Sequence, residues 1–116
     1  MQRDARAFLW DVREAAVAIK SFIAGIDFPE YADSPLLHSA VERKFEIIGE
    51  ALNQLARLDP VLALRIPETA QIVAFRNLLI HGYAVVEHGR VWRVARESLP
   101  GLLAKVDTLL VEQDGK

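Results

Sequence analysis

The eight residues from Arg76 to Tyr83 carry the side chains of this chain that are best suited to chemistry. They read Arg-Asn-Leu-Leu-Ile-His-Gly-Tyr and place a guanidinium, an amide, an imidazole and a phenol within about two helical turns. An arginine holds a phosphate with a fixed fork of donors, and a histidine transfers protons near neutral pH. On a helix, Asn77 and His81 are four residues apart and share a face. Arg76 and Tyr83 are seven apart and nearly eclipse, so the spacing predicts one surface site that handles a phosphate.

Each of these residues also has an ordinary structural interpretation. A histidine at the C-terminal end of a helix complements the helix dipole, which would account for His81. Arg76 lies among apolar neighbours, where a charge is costly unless it is paired, and Glu46 and Glu50 are its candidate partners. Tyr83 could be an aromatic ring packed after the end of the helix. For Arg76 the functional and the structural interpretation are compatible, because a carboxylate that pairs with the guanidinium would also orient it.

A metal centre is the main alternative chemistry, and the sequence argues against it. Glu42, Glu46 and Glu50 recur every four residues on one helix face, as carboxylates do in the metal sites of some helical bundles. The Glu-x-x-His partners of such sites are missing, and His38 with Glu42 supplies two ligands only. His88 is expected in an exposed turn. We therefore expect no metal and no cofactor, and predict that the carboxylates are solvated or paired with arginine.

Apolar residues recur at helical spacing along most of the chain, and no strand-like alternation of useful length is present. Four stripes predict four long helices, and a short helix is expected between the second and third of them. The chain is therefore predicted to be an all-α bundle of four long helices plus one short helix, in one domain over residues 1–116. The stripes are Leu9, Val12, Ala16, Ile19, Ile23 and Ile26; Leu37, Val41, Phe45, Ile48, Leu52 and Leu55; Ile72, Phe75 and Leu79; and Val91, Ala95, Leu99, Leu102, Val106 and Leu109.

Capping residues and prolines set the expected helix boundaries. Residues 28–33 are predicted to end the first helix and form a loop. Ser34-Pro35 and Asp59-Pro60 each place a capping side chain before a proline, which is typical of a helix start. Gly82 is expected to end the helix that carries Ile72, Phe75 and Leu79, in a left-handed cap. Pro100 lies inside the last stripe and is expected to kink that helix.

Composition limits the classes of protein to which the chain could belong. It has 116 residues, of which 52% are hydrophobic and 26% charged, with a net charge of −2 and no cysteine. These values fit one small cytoplasmic domain with no disulfide, signal peptide or membrane span. The apolar surplus points to a buried partner surface. The acidic charge argues against a general nucleic-acid binder, although Arg90, Arg93 and Arg96 could supply local positive charge near the motif.

The motif and two further segments resemble one known family. R-N-x-x-x-H-G-Y, from Arg76, is similar to the R-x4-H-x-Y signature of HepT-like ribonuclease toxins in the HEPN superfamily. Val41-Glu42-Arg43 followed by residues 46–51 resembles the "ER…EIIGEA" helix of that family, and Val91-Trp92 followed by Leu99-Pro100 resembles its "VW…LP" helix. The three motifs occur in the family's order and cover most of the chain from residue 34 to 110.

The resemblance implies a fold, an activity and partners. It implies a HEPN-like helical bundle and a metal-independent endoribonuclease that acts as the toxin of a toxin–antitoxin pair. Cleavage would begin with attack of a ribose 2′-OH, with His81 as general base or acid, Arg76 stabilising the phosphate charge and Asn77 orienting His81 or adding a hydrogen bond. It also implies a homodimer that brings two motifs together. Finally, it implies a nucleotidyltransferase antitoxin of the MNT type, MntA, which transfers AMP to Tyr83.

Two other classes of function remain open from the sequence. The chain could be a non-catalytic helical partner that binds an MNT-type nucleotidyltransferase or is modified by it. It could also be a purely structural helical dimer, which would explain the apolar stripes and leave the polar residues of the motif unexplained.

Overall fold

A computed structural model describes residues 3–81 and 86–115 of the chain, and all regular structure within those ranges is helical. The all-α prediction is therefore confirmed. The helices are α1 (Ala5–Ile23), α2 (Phe28–Ala32), α3 (Pro35–Leu58), α4 (Pro60–Ala63), α5 (Thr69–His81), α6 (His88–Arg93) and α7 (Leu99–Asp114), and a π-helical turn (Val94–Ser98) joins α6 to α7.

The predicted helix starts are capped as expected. The Ser34 hydroxyl accepts a hydrogen bond from the Leu37 backbone N–H at 3.2 Å, and the Asp59 carboxylate accepts one from the Leu62 N–H at 3.0 Å. The proline that follows each cap begins α3 or α4, where no intrahelical partner for its missing N–H is needed. The Asp4 carboxylate likewise accepts a hydrogen bond from the Ala7 backbone N–H and caps α1.

The core lies between α1, α3, α5 and α7. Helix α3 packs against both α1 and α5, and α1 also packs against α7. The apolar stripes face this core and are buried, except that Ile26 and Leu37 are half-buried. Because α3 contacts two of the other long helices, it is the element that positions the motif on α5.

The prediction of a loop over residues 28–33 is wrong, because α2 occupies most of it. Asp27 accepts a hydrogen bond from the Glu30 backbone N–H, and Glu30 accepts one from the Asp27 backbone N–H. This reciprocal capping box stabilises a one-turn helix that apolar periodicity cannot reveal. The result is that Tyr31 is fully buried.

The last predicted helix also differs in detail. It begins at His88, inside the expected turn, and its regular path is interrupted by the π-helical turn that ends at Ser98. Pro100 follows in the first turn of α7, so its missing backbone N–H lies next to this change of hydrogen-bond pattern. No helix within the described ranges is long and apolar enough to cross a membrane.

Candidate functional site

The site is built where α5 crosses α3, and a glycine determines how closely the two helices approach. A Cβ atom placed on Gly49 of α3 would lie 2.2 Å from the Cβ and 2.7 Å from the Cγ of Arg76 on α5. Any side chain at this position would therefore overlap the arginine stem. Without one, the stem of Arg76 lies directly across the backbone of α3.

The guanidinium of Arg76 is held on both sides. Its Nη2 donates to Glu50 Oε2 at 2.7 Å, and its Nη1 donates to Asn77 Oδ1 at 2.9 Å. The second oxygen of Glu50 accepts a hydrogen bond from Gln54 Nε2 at 3.0 Å. The Arg76 side chain is 24% exposed, so the charged group reaches solvent from a largely buried stem.

The structure separates the two candidate carboxylates. Glu50 pairs with Arg76, whereas Glu46 pairs with Arg43 one turn earlier on α3, at 3.5 Å. Gln54 was not singled out from the sequence, although its position four residues after Glu50 places it on the same helix face.

His81 is the last residue of α5 and is exposed, as is Asn77 one turn before it. Within the described ranges, the side chain of His81 has no hydrogen bond or ion pair, so its imidazole is free to meet a ligand. Tyr83 and the predicted cap residue Gly82 lie outside the described residues. The structure thus brings Arg76, Asn77 and Glu50 together and places His81 at the C-terminal end of the same helix.

A cavity of roughly 320 Å³ opens beside Arg76. Helix α3 supplies most of its wall, including Glu50 and Gln54, α1 supplies Phe8 and Asp11, and α5 supplies Arg76 and Ile80. Such a volume lies at the lower end of the range for small-ligand sites. Phe8, which no sequence motif singles out, is a half-buried aromatic ring in this wall.

The three arginines expected near the motif lie on or just after α6. Arg90 and Arg93 are exposed, and the guanidinium of Arg96 lies over the Trp92 ring, 5.5 Å from its centroid. They are the arginines that follow the motif most closely in sequence.

A second polar cluster joins α2, α3 and α6. The imidazoles of His38 and His88 stack with centroids 3.6 Å apart and planes at 21°, and the Tyr31 ring meets that of His38 at 5.2 Å. The expectation that His88 would be exposed is wrong, since it is half-buried and its Nδ1 is inaccessible. Burial raises the pKa of the Glu42 carboxyl, against the opposing effect of the two nearby imidazoles. Burial also raises the pKa of the Tyr31 phenol.

No three histidine, aspartate or glutamate side chains among residues 3–81 and 86–115 converge in a way that could hold a metal ion. The stacked histidines and Tyr31 form a packing cluster, in which Tyr31 Oη, His38 Nε2 and His88 Nδ1 are buried without a hydrogen-bond partner among the described residues.

Comparison with known proteins gives a consistent result. The model of the family described as "Ribonuclease HepT-like" matches residues 12–109. A protein named "Probable ribonuclease HepT" from Thermococcus cleftensis is 32% identical over 113 residues, which is 94% of this chain and 98% of the relative. A protein from Methanocaldococcus jannaschii named "Putative RNase" is 31% identical over 106 residues, covering 91% of this chain and 96% of the relative. No solved structure matches this chain.

Proposed function

Because the chain belongs to the HepT-like ribonuclease family, we propose that it is a metal-independent endoribonuclease, and that it acts in the cytoplasm as the toxin of a toxin–antitoxin pair. The structural observation that carries the proposal is the anchored guanidinium of Arg76. It is held by Glu50 and Asn77 on a largely buried stem, at the wall of a cavity and five residues before an exposed histidine.

The proposed reaction needs only the groups of the motif. A neutral imidazole of His81 takes the proton from a ribose 2′-OH, whose oxygen attacks the adjacent phosphorus. The bond from phosphorus to the 5′-oxygen breaks, and a protonated imidazole gives that oxygen a proton. The products are a 2′,3′-cyclic phosphate and a free 5′-OH. Arg76 stabilises the negative charge that builds on the non-bridging oxygens, and Asn77 fixes the guanidinium from its other side.

One imidazole does not easily serve as base and acid in the same turnover. A two-fold dimer would bring two His81 side chains to one phosphate, the first neutral and the second protonated. The exposure of His81 at the end of α5 supports this arrangement, because the imidazole is accessible to a second copy.

We propose that a cognate MNT-type nucleotidyltransferase neutralises the toxin by modifying Tyr83. The phenol oxygen would attack the α-phosphorus of ATP, pyrophosphate would leave, and AMP would remain on the tyrosine. The second candidate function is a non-catalytic partner or AMP acceptor of that enzyme, and the two are separated by whether the purified chain cleaves RNA.

The test compares the purified protein with two variants on total RNA and tRNA. We expect His81→Ala and Arg76→Ala each to reduce cleavage by at least a hundredfold, since a general acid–base and an electrostatic role each contribute about that much. Both variants should keep the helical circular dichroism spectrum, because His81 is exposed and Arg76→Ala removes a half-buried side chain without adding bulk between α3 and α5.

The same assay is repeated in EDTA. Cleavage should persist there, because the motif supplies the proton transfers and the charge stabilisation. Activity that disappears on chelation and returns with magnesium would show the mechanism to be wrong. Full activity of His81→Ala would show that the motif is not the catalytic site.

A further inference from the structure

The cavity beside Arg76 continues into a longer groove. A second hollow, of roughly 390 Å³, shares Arg3, Phe8 and Gln54 with the first and adds Arg57 and Leu58. The two hollows together are called the α3 groove. It leads from Arg76 and past Phe8, and ends beside the last turn of α3.

One face of α3 forms the floor of the groove. The residues that it contributes recur at intervals of three or four along the helix, from Arg43 to Leu58. At 1.5 Å per residue this face is about 22 Å long. The groove is therefore long enough for several linked units of a chain molecule rather than one small ligand.

The charges of the groove alternate and nearly cancel. Three arginines are matched with three carboxylates, and the shortest nitrogen–oxygen distances are 2.6 Å, 3.5 Å and 2.7 Å; the pairs are Arg3–Asp11, Arg43–Glu46 and Arg76–Glu50. Arg57 forms no ion pair or hydrogen bond with any residue of the described part of the chain. The groove thus has one cation in excess, on a chain whose net charge is −2.

A stacking platform lies midway along the groove. Phe8 is half-buried against the core, and the Arg3 guanidinium lies 5.1 Å from the centroid of its ring. Aromatic rings and arginine planes are the surfaces on which unpaired nucleobases stack. The Gln54 amide and the groove carboxylates offer donors and acceptors to base edges.

We propose that the α3 groove binds single-stranded RNA next to the phosphate that Arg76 contacts, with one base stacked on the Phe8 platform. Alternating donors and acceptors suit base edges, which are accessible in single strands. A duplex presents mainly phosphates and 2′-hydroxyls, and the groove carboxylates would repel its phosphates. The proposal rests on the proposed ribonuclease function, because it assigns a substrate path to that site.

Binding is measured with His81→Ala protein, so that the RNA stays intact, using a fluorescent unstructured RNA of about ten nucleotides. Replacing Phe8 with Ala in this background should weaken binding about tenfold, as loss of one stacked base does. Phe8→Leu keeps most of the packing volume and removes the ring, and should weaken binding to a similar degree. Trp10→Ala, an exposed aromatic two residues further along α1, is the matched control and should bind as the parent does.

Arg57 tests the electrostatic part of the groove. Arg57→Gln should weaken binding and reduce the slope of log affinity against log salt by about one. Lys20→Gln makes the same change of charge on an exposed lysine near the other end of α1, and should leave that slope unchanged.

Three outcomes would overturn the groove assignment. They are parental affinity of both Phe8→Leu and Arg57→Gln, equal binding of a duplex of the same length, and conversion of a dimer to a monomer by Phe8→Leu. The last would mean that a second copy covers the groove. If groove variants lose binding but His81→Ala cleaves RNA at the normal rate, the groove stands and the proposed catalytic role of His81 fails.

Discussion

At the scale of single residues, Arg76 is held in a way that limits which of its donors can meet a substrate. One Nη2 hydrogen is used by Glu50, one Nη1 hydrogen by Asn77, and Nε is buried without a partner among the described residues. A guanidinium has five N–H donors. With two used and the buried Nε–H inaccessible, two N–H donors remain for a phosphate. Glu50 is 46% exposed, and a pair so exposed contributes little to stability. Its main effect is to orient Arg76.

The sequence was sufficient to predict a carboxylate partner for Arg76, but it did not predict that Asn77 accepts a hydrogen bond from the same guanidinium. A charge inside an apolar helix needs a partner, which pointed to Glu46 and Glu50 for Arg76, and the structure has the pair with Glu50. It could not choose between the two glutamates, because the choice depends on where α5 crosses α3. The sequence could not predict that Phe8 lines the groove either, since the groove is formed by helices that are distant in sequence.

Tyr83→Phe removes one oxygen atom and thereby tests the proposed neutralisation by AMP transfer. The variant should keep the fold and much of the ribonuclease activity, because the phenol oxygen has no role in the proposed chemistry. It should escape neutralisation, because no hydroxyl remains to accept AMP. An AMP group on the wild-type tyrosine would add a phosphodiester, and pairing of that phosphate with Arg76 would compete with the substrate.

Intact mass after incubation with the cognate nucleotidyltransferase and ATP measures the modification directly. The wild type should gain whole AMP units and the variant none. An identical gain on Tyr83→Phe would place the acceptor on another residue.

At the scale of helices, the approach of α3 to α5 is the contact least tolerant of change. Gly49→Ala should lower the free energy of unfolding by about 1–3 kcal/mol or more, because the added methyl would overlap the Arg76 stem and force the helices apart. Urea denaturation measures the difference. Gly89→Ala is the matched control, since its added Cβ would meet only the Phe28 ring at 3.8 Å.

The control should be neutral or slightly stabilising, as alanine is the better helix former. Equal stability of Gly49→Ala and Gly89→Ala would mean that the close approach is not needed for the fold.

Periodicity predicted the long helices well and the short ones poorly. Buried stripes over several turns identify α1, α3 and α7 because each turn repeats the signal. Helix α2 has one turn and depends on a capping box, and the π-helical turn has no apolar signature of its own. The prediction that His88 is exposed was wrong because its burial comes from α2 and α3 rather than from residues next to it in the sequence.

The cluster that joins α2, α3 and α6 leads to a pH-dependent prediction. Burial raises the folded-state pKa of Glu42 above its ordinary value of 4.5, so the folded protein binds this proton more readily than the unfolded chain. The corresponding stability is present below about pH 4.5 and is lost as the pH rises through the raised pKa. Glu42→Gln, which removes the ionisable carboxyl, should therefore be more stable than the parent at pH 8.

The difference between Glu42→Gln and the parent should be smaller at pH 4, because the carboxyl is then mainly protonated in both states. Urea midpoints at the two pH values provide the measurement. A variant that is less stable than the parent at pH 8 would show that the ionised carboxylate stabilises the cluster.

At the scale of the whole molecule, the apolar surplus predicted from composition is visible at the surface. The described chain exposes several large apolar side chains by more than 70%, namely Leu36, Val61, Leu64 and Val111. Leu36 lies on α3, Val61 and Leu64 lie on and directly after α4, and Val111 lies on α7. Helix α5, around which the homodimer is proposed, contributes the half-buried Val73, Leu78 and Ile80. The most exposed apolar side chains thus lie outside α5.

We expect light scattering at micromolar concentration to give the mass of two chains, since two imidazoles are needed at one phosphate. The chain has no cysteine, so single introduced thiols can locate the interface. Ala74→Cys, exposed on α5, should form a cross-linked dimer on mild oxidation, and Leu64→Cys should not. The mass of one chain in an RNA-cleaving preparation would exclude the dimer, and cross-linking through position 64 alone would move the interface.

The face-to-face stack of His38 on His88 should also separate the histidine signals in a proton NMR spectrum. The chain has three histidines, and the third, His81, is exposed with its imidazole in solvent. Each stacked ring lies in the ring current of the other, so their Hε1 protons should resonate upfield of the ordinary imidazole position, and that of His81 should not. A one-dimensional proton spectrum should therefore separate the proposed catalytic histidine from the two structural ones without isotopes. A substrate analogue that binds at the motif would shift one line and leave the other two as internal references.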